Sequence, residues 1–147
     1  MSSERYLYSA LKVSRYIIAY ETQKGRSINN LRLQKLLYFV QAQFLVERGH
    51  PIFDADIEAW DVGPVVPEAF HTFKFYAASE IPPRDLDKDL NWIHYEDRKS
   101  IDMILEDCSK YSTARLIEIT VLQDPWKRAR HTRDLKIKNE DIKKFFE

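Results

Sequence analysis

The stretch LRLQKLLYFVQAQFLVER, residues 31–48, decides the fold, because its apolar residues leave almost no face for water. Apolar side chains recur there at three- and four-residue steps, and this spacing predicts a helix. Five of them form one apolar stripe along the helix, and four more extend the apolar surface most of the way round. The stripe is Leu33, Leu36, Leu37, Val40 and Phe44, and the residues that widen it are Tyr38, Phe39, Leu45 and Val46. Such a helix is usually buried centrally. We therefore expect a mainly α-helical, compact multi-helix domain around a buried central helix, capped by Asn29 or Asn30 and ended by Gly49.

Further helices are predicted on both sides of the central one from the same periodicity and from capping residues. They cover residues 6–23, residues 66 or 67 to 76, residues 98–111 after Asp97, residues 113–123 after Ser112, and a short last helix capped by Asn139. Asp124-Pro125-Trp126 is expected to break the helix before it.

One short β-strand or hairpin element is predicted near residues 57–62, IEAWDV, which alternate loosely between apolar and polar. Gly63-Pro64 is expected to turn the chain after it. Residues 79–95 contain Pro82-Pro83 and scattered aspartates, so we expect a loop, with at most a short extended pairing near Ile81 or Trp92–Tyr95.

Length and composition indicate one globular domain, residues 1–147, with 44% apolar residues. The 23 basic and 23 acidic residues cancel, which disfavours nucleic acid as a partner and is compatible with a homodimer. The single cysteine, Cys108, excludes an internal disulfide and indicates a reducing, cytoplasmic location. The apolar run LLYFV is too short to cross a membrane, so no membrane partner is expected.

Charge is unevenly distributed along the chain. Residues 80–107 hold nine acidic and four basic residues, whereas residues 127–144 hold eight basic and three acidic ones. Such a separation can steer a charged partner. Alternatively, the two segments face each other or are simply solvated.

No catalytic or cofactor motif is present. The three glycines all lie at predicted element ends, which excludes the glycine-rich phosphate loops, and the four histidines have no metal-ligand spacing. Cys108 follows Glu106-Asp107, and acidic neighbours make a thiol a poor nucleophile. We therefore expect no enzymatic activity, no cofactor and no metal.

Two alternatives remain open from the residues alone. One is a small hydrolase that uses carboxylates near Trp60, namely Asp54, Asp56, Glu58 and Asp61. The other is a DNA-binding transcriptional regulator, although the amide-bearing helix 31–48 also carries leucines and aromatics that require burial.

Four pieces of the chain, in this order and spacing, resemble the Panacea domain, also called the SocA-like or phage-associated GepA family. They are residues 31–53, 57–74, 113–130 and 137–146, which contain the QKLLY helix, the EAWDVGPVVP segment and a late Pro-Trp pair. The signature residues are Gln34, Lys35, Leu36, Tyr38, Trp60, Gly63, Pro64, Val65, Pro125 and Trp126.

The resemblance implies a mainly helical antitoxin that neutralises a toxin encoded nearby by direct protein contact. One family member delivers its toxin to an ATP-dependent protease, which is the second partner implied. The family motif assigns no catalytic residues. This chain has Thr120-Val121 where relatives often have Thr-His, and this departure favours binding over catalysis.

The signature residues could serve folding or partner contact. We expect Trp60, Val62 and Val65 to pack against the helix 31–48 rather than to bind a ligand.

Overall fold

The computed structural model describes residues 7–147, and its longest helix is the predicted central one. This helix, α2, spans Asn30–Glu47, and the Asn29 side chain caps it by accepting the Arg32 N–H at 2.9 Å. Its buried residues include Gln34, Lys35 and Gln41 in addition to the apolar set. The mainly α-helical fold and the central position of this helix are therefore confirmed.

The described residues contain eight α-helices and one two-stranded antiparallel sheet. They are α1 (Ala10–Gln23), α2 (Asn30–Glu47), β1 (Glu58–Trp60), β2 (Gly63–Val65), α3 (Pro67–Phe73), α4 (Leu86–Asn91), α5 (Tyr95–Cys108), α6 (Thr113–Val121), α7 (Asp124–Ala129) and α8 (Asn139–Phe146). A 3₁₀ turn, Lys74–Tyr76, follows α3.

Helix α2 is the scaffold of the core, because α1, α3, α5, α6, α8 and β2 all pack against it. Tyrosines also connect the N-terminal part of the chain to α5. The Tyr20 hydroxyl donates to Glu106 at 2.6 Å, the Tyr8 hydroxyl donates to Asp97 at 2.7 Å, and Tyr16 donates to Asp102.

The predicted strand forms a hairpin, but the turn lies earlier than expected. Trp60 pairs with Gly63, so Asp61 and Val62 are the turn and Gly63-Pro64 belongs to β2. Gly63 has φ +96°, a conformation that L side chains rarely adopt, and it brings the chain back into the strand. Pro64 lacks an N–H, which an edge strand tolerates.

A third extended segment flanks the other edge of β1. The Ala59 N–H donates to the Leu135 carbonyl at 2.8 Å, and the Ile137 N–H donates to the Ile57 carbonyl at 2.7 Å. The chain between α7 and α8 therefore adds short β-type pairing to the hairpin.

The predicted loop at residues 79–95 is wrong in its second half. Asp85 caps helix α4 by accepting the Lys88 N–H at 3.4 Å, and α5 already begins at Tyr95. The aspartates that suggested a loop include this cap and residues of the first turn, where negative charge stabilises a helix. Near Ile81 there is a single backbone bond, from its N–H to the Ile28 carbonyl at 2.9 Å.

Three helix boundaries also differ from the predictions. Helix α6 ends before Asp124-Pro125-Trp126, but these residues begin α7, because proline suits the first turn of a helix. Asn139 is the first residue of α8 rather than its cap. Helix α1 begins at Ala10 after the cap Ser9, and residue 6 of its predicted span lies outside the described residues.

We predict that Gly63→Ala destabilises the protein more than Gly25→Ala does. Both glycines have positive φ, but an added Cβ at Gly63 would lie 2.8 Å from Thr120 Oγ1 and 3.2 Å from Lys35 Nζ, whereas none of the described atoms lies within 4 Å at Gly25. Gly25→Ala should cost about 1–2 kcal/mol in unfolding free energy from the backbone alone. Urea denaturation of both variants measures the difference, and equal losses would contradict close packing at Gly63.

Candidate functional site: side chains that hold the β-hairpin

Gln34 connects the central helix to the segment after β2. Its Oε1 accepts the Val66 N–H at 2.9 Å, and its Nε2 donates to Asn30 Oδ1 at 2.9 Å. Asn30 in turn donates to the Phe70 carbonyl in α3 at 2.9 Å. Gln34 and Asn30 are both buried, so their amides satisfy backbone groups that water cannot reach.

Lys35 connects the same helix to β2 itself. The side chain is fully buried, and its Nζ donates to the Pro64 carbonyl at 2.7 Å. Among residues 7–147 no carboxylate forms an ion pair with it. Burial without a countercharge disfavours the ammonium form and lowers the pKa of Lys35 to about 7.

Helix α7 holds the opposite strand. The Trp126 indole N–H donates to the Trp60 carbonyl at 2.9 Å, and the Arg130 guanidinium donates to the Ala59 carbonyl at 2.9 Å. Arg130 also pairs with Asp61 at 2.7 Å and lies 5.2 Å from the centre of the Trp126 ring. We call Gln34, Lys35, Trp126 and Arg130 the hairpin clamp, because they bond the hairpin backbone or its first following residue from two helices.

Further signature residues position the clamp. The Tyr38 hydroxyl donates to Gln123 Oε1 at 2.7 Å, directly before α7 begins, and burial raises the pKa of Tyr38. Pro125 is buried in the first turn of α7, and Leu36 and Val65 are buried apolar residues. Seven of the ten signature residues therefore lie in the hairpin or bond it or the residue after it, namely Gln34, Lys35, Trp60, Gly63, Pro64, Val65 and Trp126.

Of the three residues expected to pack against α2, only Val65 fits the expectation. Val65 is fully buried in β2, which packs on α2. Trp60 instead contacts the Phe70 ring edge-on at 5.0 Å and donates its indole N–H to Glu58 at 2.9 Å. Val62 is 36% exposed at the turn, because the turn projects away from the helix layer.

The carboxylates of the hydrolase alternative do not converge on one another. Asp54, Asp56 and Asp61 are exposed. Asp56 pairs with Lys136 at 3.3 Å, while Asp61 pairs with Arg130 and Glu58 accepts from Trp60.

Cys108, the last residue of α5, is buried. Burial is the main cause that raises the pKa of its thiol to about 12, and Asp107 raises it further. Its reactivity as a thiolate is therefore low near neutral pH. In the part of the chain that the structure describes, no group of three His, Cys, Asp or Glu residues could hold a metal ion.

The acidic and basic segments do not neutralise each other. Helix α5, in the acidic segment, and helix α8, in the basic one, both pack against α2. No ion pair between residues 80–107 and residues 127–144 is found among the described residues. None of the described helices combines the length and apolar character that crossing a membrane requires.

Comparison with known proteins gives a family that fits this arrangement. Residues 33–127 match the family described as antitoxin SocA-like, Panacea domain. The chain belongs to this family. A relative named antitoxin SocA, from Caulobacter vibrioides (strain NA1000 / CB15N), is 32% identical over 109 residues, which cover 67% of this chain and 58% of that protein. No solved structure matches the chain.

The Panacea match includes all ten signature residues and ends just after Trp126. The matched range contains Gln34, Lys35 and Trp126 of the hairpin clamp, whereas Arg130 lies after its end. In this Panacea domain most of the signature residues therefore form the hairpin or bond it directly.

Sequence reasoning missed several residues that complete the site. Arg130 lies four residues after Trp126, and this spacing could have placed both on one helical face. Asn30 and Gln41 are polar residues in an apolar helix, which is a signal for buried hydrogen bonds. Gln41 accepts the Ile52 N–H at 3.0 Å and donates to the Phe53 carbonyl at 3.1 Å.

The lowered pKa of Lys35 predicts a pH dependence of stability with a definite sign. Below pH 7 the Lys35 amine is protonated in both the folded and the unfolded chain. Between about 7 and the ordinary value of 10.5, the unfolded chain binds more protons, so the free energy of unfolding rises with pH.

The comparison variant for this prediction is Lys35→Met. The unfolding free energy of the natural protein minus that of the variant should rise by up to about 1.4 kcal/mol per pH unit across this window. Urea denaturation of both proteins at a series of pH values measures the difference. A difference that stays constant from pH 7 to pH 10 would show that Lys35 remains charged in the folded protein.

Proposed function

We propose that this chain is an antitoxin that neutralises a partner toxin by direct protein–protein binding. The observation that carries the proposal is the family match over residues 33–127. The similar protein antitoxin SocA carries the same role in its name. The proposal treats the chain as a single Panacea domain and assigns it no enzymatic reaction.

The arrangement of the hairpin supports a binding role. The buried Lys35 of α2 and the partly buried Trp126 of α7 bond the hairpin backbone, while the turn residues Asp61 and Val62 remain exposed. A binding surface on a rigid base loses little conformational entropy when a partner docks. The clamp therefore suits a preformed contact surface better than a reaction centre.

The charge separation, which ion pairs from the rest of the domain compensate only in part, supports a specific protein partner. An acidic region and a basic region on one small domain can orient a partner of complementary charge and discriminate against others. The zero net charge provides no overall repulsion between molecules, so the proposal also accommodates a homodimer. We place the interaction in the cytoplasm, where the single buried thiol of Cys108 stays reduced.

The experiment that tests the proposal uses the product of the adjacent gene as the candidate toxin. Expression of that product alone should stop growth, and co-expression of this chain should restore growth and yield a complex that co-purifies. The reason is that binding covers the toxin surface needed for its activity. A pair that neither associates nor changes toxicity would overturn the proposal.

A second arm separates masking of the toxin from delivery to an ATP-dependent protease. We propose masking as the mechanism, so the purified chain should inhibit the purified toxin at stoichiometric amounts without ATP or protease. Inhibition that requires both ATP and the protease, together with a shortened toxin half-life, would assign the delivery mechanism instead.

A further inference from the structure

An open cleft lies at the tip of the hairpin, next to the clamp. It is lined by Trp60, Asp61, Val62, Arg130 and Leu135, mainly through apolar surface, and its volume is about 450 Å³. Trp60 and Arg130 are the residue types that most often dominate binding energy at protein interfaces. We call this the hairpin-tip cleft.

The base of the cleft is rigid. Arg130 bonds both the Ala59 carbonyl and the Asp61 carboxylate, and the Trp60 carbonyl accepts the Trp126 indole N–H. The Trp60 ring also contacts the Phe70 ring. The apolar surface of the cleft is therefore preformed, which reduces the entropy lost on binding.

Leu135 adopts a strained conformation at the edge of this cleft. Its φ is +60°, which for a bulky residue that is not glycine is a steric outlier. The backbone is held there by two bonds, from the Ala59 N–H to the Leu135 carbonyl at 2.8 Å and from the Lys136 N–H to Asp134 at 3.0 Å. The leucine remains partly exposed in the cleft, so burial in the core does not account for its presence.

The chain segment that contributes Arg130 and Leu135 to the cleft is basic. Residues 127–138 include six basic residues and one acidic residue, Asp134. Two acidic residues from the hairpin side, Asp61 and Asp56, pair with Arg130 and Lys136. Arg128 pairs with Asp141 at 3.7 Å. Lys127, Arg133 and Lys138 of this segment form no ion pair among the described residues, so the segment keeps an excess of positive charge.

We propose that the hairpin-tip cleft is the docking surface for the partner protein, and that the partner inserts an apolar side chain flanked by acidic residues. The inference rests on the proposed function, which it extends by naming the surface and the chemistry of its partner. The apolar anchor fits between Trp60, Val62 and Leu135, and the basic segment attracts the flanking carboxylates.

The decisive variants are Leu135→Gly and Leu135→Asn. Each removes apolar surface from the cleft and also relieves the positive-φ strain, so folding stability should be retained. Binding to the product of the adjacent gene, measured by calorimetry, should weaken roughly tenfold or more. A merely structural role for Leu135 would instead lower the melting temperature and leave binding by the folded protein unchanged.

Ala77→Gly is the matched control. Ala77 is the other non-glycine residue with positive φ among the described residues, at φ +51° after the 3₁₀ turn, and it does not line the cleft. This substitution relieves backbone strain in the same way but leaves the cleft unchanged. The variant should therefore bind the product of the adjacent gene as tightly as the natural protein does.

Charge variants test whether the partner carries acidic residues around its apolar side chain. Lys127→Glu combined with Arg133→Glu should slow association and reduce its salt dependence. Lys110→Glu, in the turn after α5, should change neither, because it lies outside the basic segment. Val62→Asp should weaken binding both by removing apolar surface and by repelling the partner's carboxylates.

The outcomes separate this inference from the proposed function. Loss of binding in the cleft variants with retained stability supports the docking surface. Binding by the natural protein that Leu135→Gly, Leu135→Asn and Val62→Asp all leave unchanged overturns the surface and leaves the antitoxin role intact. A natural protein that does not bind the product of the adjacent gene overturns both.

Discussion

Two strands of three residues each cannot form a stable hairpin alone in water, so this hairpin depends on bonds from outside the sheet. Those bonds come from the side chains of two helices that lie on different sides of it. Lys35 bonds the Pro64 carbonyl from α2, and Trp126 bonds the Trp60 carbonyl from α7. The placement of a lysine in the core follows from this requirement, because its long side chain reaches a backbone carbonyl that would otherwise lack a partner.

The same bonds explain how a protein built mostly of helices can hold a short hairpin with an exposed turn. Side chains beneath the hairpin satisfy its backbone, so the turn can remain exposed without fraying. The segment around Leu135 pairs with the other edge of β1 and brings a strained leucine next to Trp60. In the docking surface that we propose, folding and recognition therefore depend on different atoms of the same segment. The clamp binds the backbone, and the turn side chains are exposed.

The central helix and most other helices could be predicted from the sequence, because their apolar periodicity is a local signal. Helix α4 was missed because its caps and acidic first turn resemble a loop when no apolar stripe accompanies them. The signature residues were recognised, but their contacts were not. Trp60 packs against Phe70 instead of α2, and nothing local distinguishes those two environments.

Leu135 shows the limit of sequence reasoning most clearly. A leucine gives no local signal for positive φ, and the conformation depends in part on a contact distant in sequence, the bond from the Ala59 N–H to the Leu135 carbonyl. In contrast, Gly63 could be placed near a turn from its residue type, although the turn itself lies two residues earlier than predicted.

Native-state hydrogen exchange tests most directly whether the clamp makes the hairpin part of the core. The Val66 N–H, bonded to Gln34, and the Ala59 N–H, bonded to the Leu135 carbonyl, should exchange only through global unfolding. Their protection free energies should equal that of the Val40 N–H in the middle of α2. Exchange of both amides at a clearly lower free energy, while Val40 stays protected, would show that the hairpin opens independently and would contradict the account.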